Sequence, residues 1–416
     1  MVNEMNPSDN DKIKDNRIEV KVINPGHRFS MNLYDSDNNL ILEAHTPISQ
    51  GVLNHLRSSG IAYLYFDPSK TGSTEAEPVQ KSILSEELKN ETYAHTKDLF
   101  EEIRNTFMTS PSDSISRGTI DKSRTLVDRI IADTEKNSDG VFDVVSKLKD
   151  MDDYYYQHSM NVAILASILG SRLDFKPDIK SAMGVGGLFH DIGYSSVSKD
   201  ILHKAQLSDS EFDIMKSHTH VGYKFVEKNP RIHELEKRII LLHHERGDGE
   251  GYPYGFDLDM YQNNVPREVR LLGLIDIFIT MTIPKPGETG VTPKGAMRLM
   301  VNMIHAQYKT KYSFLPADVR DFLRALGFII NKGEFFMNAG DLVRISTGEI
   351  GIIEEMNRLY PLNPKVRILK NSRMETLKRP IVLDLLKTYN EYIANVYDRN
   401  SEGKYTISGQ NNANMK

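Results

Sequence analysis

Five apolar stretches with helical spacing, between residues 154 and 280, each carry a histidine or an aspartate on the face that would be buried. No other feature constrains the chain as strongly, because a buried ionisable group is costly unless it is paired or bound to a cation. In YYYQHSMNVAILASILG (154–170), His158 shares a stripe with Tyr155, Val162, Leu165 and Leu169, at a period of about 3.6 residues. In GLFHDIGY (187–194), His190 and Asp191 end an apolar helix. His218 continues the stripe Phe212, Met215, Val221, Phe225 within EFDIMKSHTHVGYKFV (211–226), whereas His220 falls off it. His243 and His244 close the apolar run that opens IILLHHERGDGEGYPYG (239–255), and a Gly-rich loop follows. Asp276 is the sole ionisable residue of LLGLIDIFIT (271–280).

Each of these has an ordinary explanation when taken alone. A single inward histidine is more often a hydrogen-bonded core residue than a ligand, and Asp276 could pair with Arg267 or Arg270. His243 and His244 could be cations favoured at a helix C-terminus. Accidents of this kind would not stack on successive helices of one domain, so a shared cause is the better reading. Imidazole and carboxylate together suit a divalent metal. One aspartate can bridge two ions through its two oxygens, and a dinuclear centre can activate water against a phosphodiester. The chain has no cysteine, which removes disulfides, thiolate ligands and thiol nucleophiles and leaves nitrogen and oxygen donors only.

The rest of the chain frames that helical region. With 416 residues, two or three domains are expected. Residues 1–15 read as a disordered tail and 16–68 as a small α/β module, with strands at 18–22, 30–34, 40–43 and 62–66 around a helix at 48–58. Residues 69–118 read as a linker and connecting helix, 119–332 as the helical domain. Its helices are expected at 119–134, 140–149, 154–173, 178–190, 209–228, 233–244, 267–281, 293–305 and 317–327. Residues 333–398 read as a β-rich appendage with strands near 341–346, 351–355, 366–369 and 379–384 and a short helix near 385–397, followed by a polar tail at 399–416. The fold class is therefore mainly α, with a small α/β module before the helical domain and a small β-rich appendage after it. A net charge of −5 (52 basic, 57 acidic residues) argues against a nucleic-acid polymer as partner. No signal peptide and no run of 18 apolar residues is present, so a cytoplasmic protein without a membrane span is expected.

The order His158, HDIG (190–193), MKSH (215–218), HHERGDGEGYP (243–253) and Asp276 resembles the HD-GYP domain family, a branch of the HD metal-dependent phosphohydrolases. The resemblance covers about residues 119–331, and the 243–253 stretch is its most specific part. It implies a helical HD-type bundle, a centre of divalent metals, iron or manganese with zinc as the alternative, and hydrolysis of cyclic di-GMP to pGpG or GMP. Carried over by position, His158, His190, Asp191 and Asp276 would surround one ion. His218, His243 and His244 would bind a second, with Asp191 bridging. Asp191 and Tyr194 would be catalytic, and Gly251, Tyr252 and Lys285 would meet the substrate. Protein partners docking on the 249–253 loop and a homodimer fit the same picture.

Three positions depart from the family pattern. The HDxGK motif ends here in Tyr194, which can donate a hydrogen bond but brings no positive charge. Where a DRPYR-like segment is usual, TIPKPGETG (282–290) stands, and Lys285 lacks the bidentate fork of an arginine. Tyr154 replaces the glutamate used by trinuclear members, so two ions are expected. The leading expectation is a cyclic di-GMP phosphodiesterase. The competing ones are a catalytically weak cyclic-dinucleotide sensor or scaffold, and a phosphohydrolase on another nucleotide.

Overall fold

A computed structural model describes residues 82–407 apart from 110–113, 139, 143–150, 205, 286–289, 304–313, 331–334, 358–359, 389–390 and 400–404; before them it describes 17–20, 23, 33–35, 40–42, 48, 50–59 and 61–65. The chain divides into two compact units, residues 1–80 and 81–416. The polar tail expected at 1–15 lies outside the described residues.

In the first unit, strands β1 (Arg17–Glu19), β2 (Leu33–Tyr34), β3 (Leu40–Leu42) and β4 (Tyr63–Tyr65) form an antiparallel sheet in the order β1-β4-β2-β3. Helix α1 (Gln50–Ser58) lies between β3 and β4 in the chain. Val20, Leu33, Leu42, Leu53, Leu56 and Leu64 belong to one small core. The alternation of the strands and the apolar spacing of α1 give the unit one face to bury.

The second unit is built around α4 (Met151–Arg172), in which every residue from Asp153 to Gly170 is buried. A helix that is apolar on nearly all sides belongs in the middle of a bundle. Around it stand α2 (Glu86–Thr109), α3 (Arg117–Lys136), α5 (Pro177–Phe189) and α11 (Arg267–Thr282). Helix α2, expected as a connector, lends Leu88, Leu99, Phe100 and Ile103 to the same core. Helix α5 approaches α4 backbone to backbone: a Cβ on Gly187 would lie 2.7 Å from the Cα of Ala163. This close approach brings the His158 region of α4 beside the end of α5.

The stretch expected as one helix over 209–228 is broken into α7 (Asp209–Lys216) and α8 (His218–Val226). The Ser217 hydroxyl donates to the Ile214 carbonyl at 2.6 Å, competing with the helical ladder at the break. A 3-10 turn over 192–196 and the short helices α6 (Lys199–Leu202) and α10 (Leu258–Asn264) carry too little periodicity to be read from sequence. Helices α9 (Glu234–Leu242), α12 (Pro293–Met303) and α13 (Pro316–Ile330) complete the bundle. The helix expected at 140–149 is not seen at its start, where Val141 forms a parallel bridge with Ser82; residues 143–150 lie outside the described residues.

At the C-terminal end, β5 (Leu342–Ile345), β6 (Ile350–Glu355), β7 (Lys365–Lys370), β8 (Thr376–Asp384), β9 (Ile393–Arg399) and β10 (Tyr405–Ile407) form an antiparallel sheet in the order β10-β9-β5-β6-β7-β8. The short helix expected near 385–397 is a correction: the segment from Ile393 is strand β9, paired with β5 on one side and β10 on the other. Tyr392 through Val396 are all buried, so the strand lacks the polar alternation that would have marked it. Asn302 of α12 accepts from the Val396 amide at 3.1 Å and helps to seat it.

Candidate metal centre

Seven ionisable side chains from five helices and the turns between them converge beside α4. His158 lies within α4, His190 caps the C-terminus of α5, and Asp191 opens the 3-10 turn. His218 begins α8, His243 caps α9 with His244 next to it, and Asp276 lies within α11. Their candidate donor atoms fall into two groups, each within 4.8 Å: Asp191, His218, His243 and His244 in one, His158, His190 and Asp276 in the other.

Asp191 stands between the groups. Its Oδ2 lies 3.2 Å from His190 Nε2 and 3.7 Å from His158 Nε2. Its Oδ1 lies 3.2 Å from His218 Nε2 and 3.7 Å from His243 Nε2. Asp276 also spans both, with Oδ1 2.9 Å from His158 Nε2 and Oδ2 3.5 Å from His244 Nδ1.

The tautomers follow from the backbone. His190 Nδ1 meets the Gly187 carbonyl at 2.8 Å, His218 Nδ1 the Met215 carbonyl at 2.7 Å, and His243 Nδ1 the Ile239 carbonyl at 2.9 Å. A carbonyl only accepts, so each Nδ1 carries the proton and each neutral ring turns a bare Nε2 lone pair inward. All three acceptors lie at or near a helix C-terminus; the Ile239 carbonyl takes the His243 amide as well, at 3.1 Å. His218 Nε2 and His243 Nε2 then face each other at 3.4 Å, lone pair to lone pair. His190 Nε2 faces His158 Nε2 at 3.2 Å. Asp191 Oδ1, buried, accepts no hydrogen bond. Donors that converge without protons between them are what a divalent cation requires, so these residues fit a metal.

Electrostatics point the same way. Burial would raise the Asp191 carboxyl, but positive charge on the surrounding imidazoles, His190 first, outweighs it and holds it well below the usual carboxylate range, a place for positive charge that a metal would fill. Asp276 is likewise depressed, by His158 and His244 against the effect of burial. Burial, then the neighbouring His243, keep His244 well below the usual histidine range, which leaves its ring neutral and able to ligate.

Aromatic groups line the centre. Tyr194, in the 3-10 turn, stacks on His218 with ring centroids 4.0 Å apart and 24° between planes, and its ring lies 5.3 Å from that of Tyr155. Burial pushes its phenol well above the ordinary value. Tyr252 packs 4.6 Å from the His244 ring. Its loop is held from below: Glu245 accepts from the Tyr254 amide at 2.6 Å and the Phe256 amide at 3.2 Å, and Asp248 accepts from the Glu250 amide at 3.0 Å and from Arg246. Gly251 lies half-buried in that loop. Lys285 is half-buried just beyond the end of α11 and makes no hydrogen bond or ion pair with a described residue; it is not among the groups that converge. His220 is exposed.

Two further residues touch the centre: Thr280, which sequence reasoning did not single out, and Tyr154, noted only as standing in place of a glutamate. Thr280 lies one turn beyond Asp276, its hydroxyl 3.5 Å from Oδ1, and Tyr154 lies one turn before His158 with its ring 5.8 Å from the imidazole. Helical spacing was the available signal for both.

With the fold and the site in view, the chain can be set beside known proteins. Residues 143–310 match the HD domain family, and residues 342–404 match a KOW domain associated with the HD domain. A cyclic di-GMP phosphodiesterase of Pseudomonas aeruginosa is 29% identical over 261 residues, covering 62% of this chain and 58% of that protein. A cyclic di-GMP phosphodiesterase of Thermotoga maritima is 28% identical over 148 residues, covering 35% of this chain and 39% of that protein. A 3'3'-cGAMP-specific phosphodiesterase of Vibrio cholerae is 29% identical over 153 residues, covering 35% and 33%. The match thus spans 58% of the Pseudomonas relative and 39% and 33% of the other two. Residues 143–310 thus match an HD domain, and the relatives set beside it are named as cyclic-dinucleotide phosphodiesterases. Divalent metal binding is a property that the HD family implies. Among the described residues no helix is long and apolar enough to cross a membrane.

Proposed function

We propose that this chain is a metal-dependent phosphodiesterase that hydrolyses cyclic di-GMP to pGpG or GMP, using two divalent ions, iron or manganese. The observation that carries the reading is Asp191, whose two oxygens face two separate sets of imidazoles. His158, His190 and Asp276 would hold one ion, His218, His243 and His244 the other, and Asp191 both. When bound, such a pair lowers the pKa of water and neutralises charge building on a phosphodiester.

The protein's own groups have defined tasks in this reading. The Gly187, Met215 and Ile239 carbonyls fix three imidazoles in the Nε2-ligating tautomer. Tyr194, kept protonated by burial, donates a hydrogen bond to a phosphate oxygen where a lysine would bring charge. Tyr252 and Gly251 shape the mouth, held by Glu245 beneath the loop. Lys285, just after α11 and outside the converging groups, would turn toward the second phosphate when substrate binds. The relatives named for cyclic di-GMP and for 3'3'-cGAMP make the identity of the second base the open choice, and the first is favoured by the greater extent of the Pseudomonas match.

The test is turnover by protein loaded anaerobically with iron(II), or with manganese(II), given cyclic di-GMP and 3'3'-cGAMP in parallel. Formation of pGpG or GMP from cyclic di-GMP is expected. Preference for the mixed dinucleotide would change the substrate, and no turnover with any divalent metal would remove the enzymatic reading.

A further inference from the structure

A second cleft lies in the same unit, between the start of α13 and the loop that leads into β7. It encloses about 230 Å³ and is lined by Arg320, Asp321, Arg324, Tyr360, Leu362 and Asn363. None of these belongs to the centre described above.

The charge balance of the lining favours an anion. Asp321 is its one carboxylate, and it is already engaged, by Arg324 at 3.1 Å and by Arg267. Arg320, one turn before Arg324, has no carboxylate partner among the described residues; its guanidinium lies 5.8 Å from the Tyr392 ring. On a chain of net charge −5, an arginine pair with one unmatched charge at a concave site is a local exception. Arg320 and Arg324 lie one helical turn apart on the same wall, so a phosphate held by both would take Arg324 from Asp321.

The opposite wall offers an aromatic face and a hydrogen-bond acceptor. Tyr360 is 45% exposed at the rim. Asn363 spends both amide hydrogens on the Leu385 and Glu391 carbonyls, at 3.2 Å and 2.7 Å, so its oxygen is fixed in place with no hydrogen bond from a described residue. An immobile acceptor beside an exposed ring suits a flat heterocycle that carries N–H groups. At about 230 Å³, below the range of about 300–1,000 Å³ for drug-sized ligands, the cleft is too small for a cyclic dinucleotide, and a mononucleotide fits with part of it outside the rim at Tyr360.

We infer that this cleft is a binding site for a purine nucleoside monophosphate, its phosphate on Arg320 and Arg324 and its base against Tyr360 and Asn363. The site stands one helix from the metal centre. Arg267 and Arg270 of α11, the helix that carries Asp276, are paired with Asp321 and Asp318 of α13. The inference does not rest on the phosphodiesterase reading.

Calorimetry of the full chain with GMP tests it, with guanosine and inorganic phosphate as the other probes. GMP is expected to bind once at this cleft, tighter than either probe alone, in wild type, in EDTA-treated protein and in His243→Ala. Arg320→Gln and Arg324→Gln should each weaken it about tenfold or more. Arg324 is exposed, so its variant folds even if Arg320→Gln does not, and thermal melts check both. Unchanged affinity in the folded arginine variants, binding that disappears with EDTA, phosphate binding as tight as GMP, or no binding to wild type would each overturn the assignment.

Discussion

At the residue scale, the centre depends on groups whose hydrogen bonds leave a lone pair pointing inward. His190, His218 and His243 share one device, a proton on Nδ1 committed to a carbonyl at a helix end. Tyr194 stands where the resembled HDxGK pattern has a lysine. Its stack on His218 gives it a structural task that a lysine would not fill, and its phenol supplies a hydrogen bond without charge. Tyr194→Lys is expected to raise kcat on cyclic di-GMP about tenfold, equivalent to about 1.4 kcal/mol of added charge stabilisation in the transition state. A fall in kcat with metal content unchanged would show that the stack matters more than the charge. Tyr252→Ala should keep its full metal content and raise KM, because the ring packs beside His244 without offering a donor to either group; steady-state kinetics with metal analysis separates the two effects.

At the scale of elements, the centre is assembled by close packing between short pieces of backbone. Gly193, third after His190, allows the 3-10 turn to lie against α8: a Cβ there would fall 1.9 Å from the His218 carbonyl oxygen. Gly193→Ala should therefore cost at least about 2 kcal/mol and displace His218, read as a lower Tm together with reduced metal content. A variant of unchanged Tm would contradict this packing. Between α2 and α3, His95 is buried against the Ser123 hydroxyl at 2.7 Å. Burial, then Lys122, lower its pKa to about 4. The unfolded chain takes up that proton near pH 6.5, while the folded protein refuses it until about pH 4. Stability therefore falls as pH drops through that window, and His95→Gln should show a shallower fall in Tm there than wild type. Much of this level was legible in the sequence. The apolar stripe through His158 and the run before His243 gave their helices directly, because a buried face leaves a period. The break at Ser217 and strand β9 were not legible. One is a local side-chain bond that no periodicity records, and the other is covered on both sides and loses its alternation.

At the scale of the whole molecule, one sequence pattern produced the site because tertiary packing merely closed what five helices had already turned inward. The same packing makes stability and metal binding a single property. Seven ionisable groups gathered beside the central helix repel or desolvate one another unless a cation joins them. Metal that binds only the folded chain should add about 2.7 kcal/mol at a hundredfold excess over its Kd, so chelation is expected to lower Tm by several degrees and re-addition to restore it. An unchanged melt after chelation would mean that the cluster is self-sufficient.

The bridging position of Asp191 is the centre of this account, and metal stoichiometry tests it most directly. Wild-type protein loaded with iron(II) or manganese(II) and freed of excess metal should hold two ions per chain by elemental analysis, and Asp191→Ala, folded by circular dichroism, should hold fewer than one. Two ions retained by Asp191→Ala, or none in wild type, would contradict it.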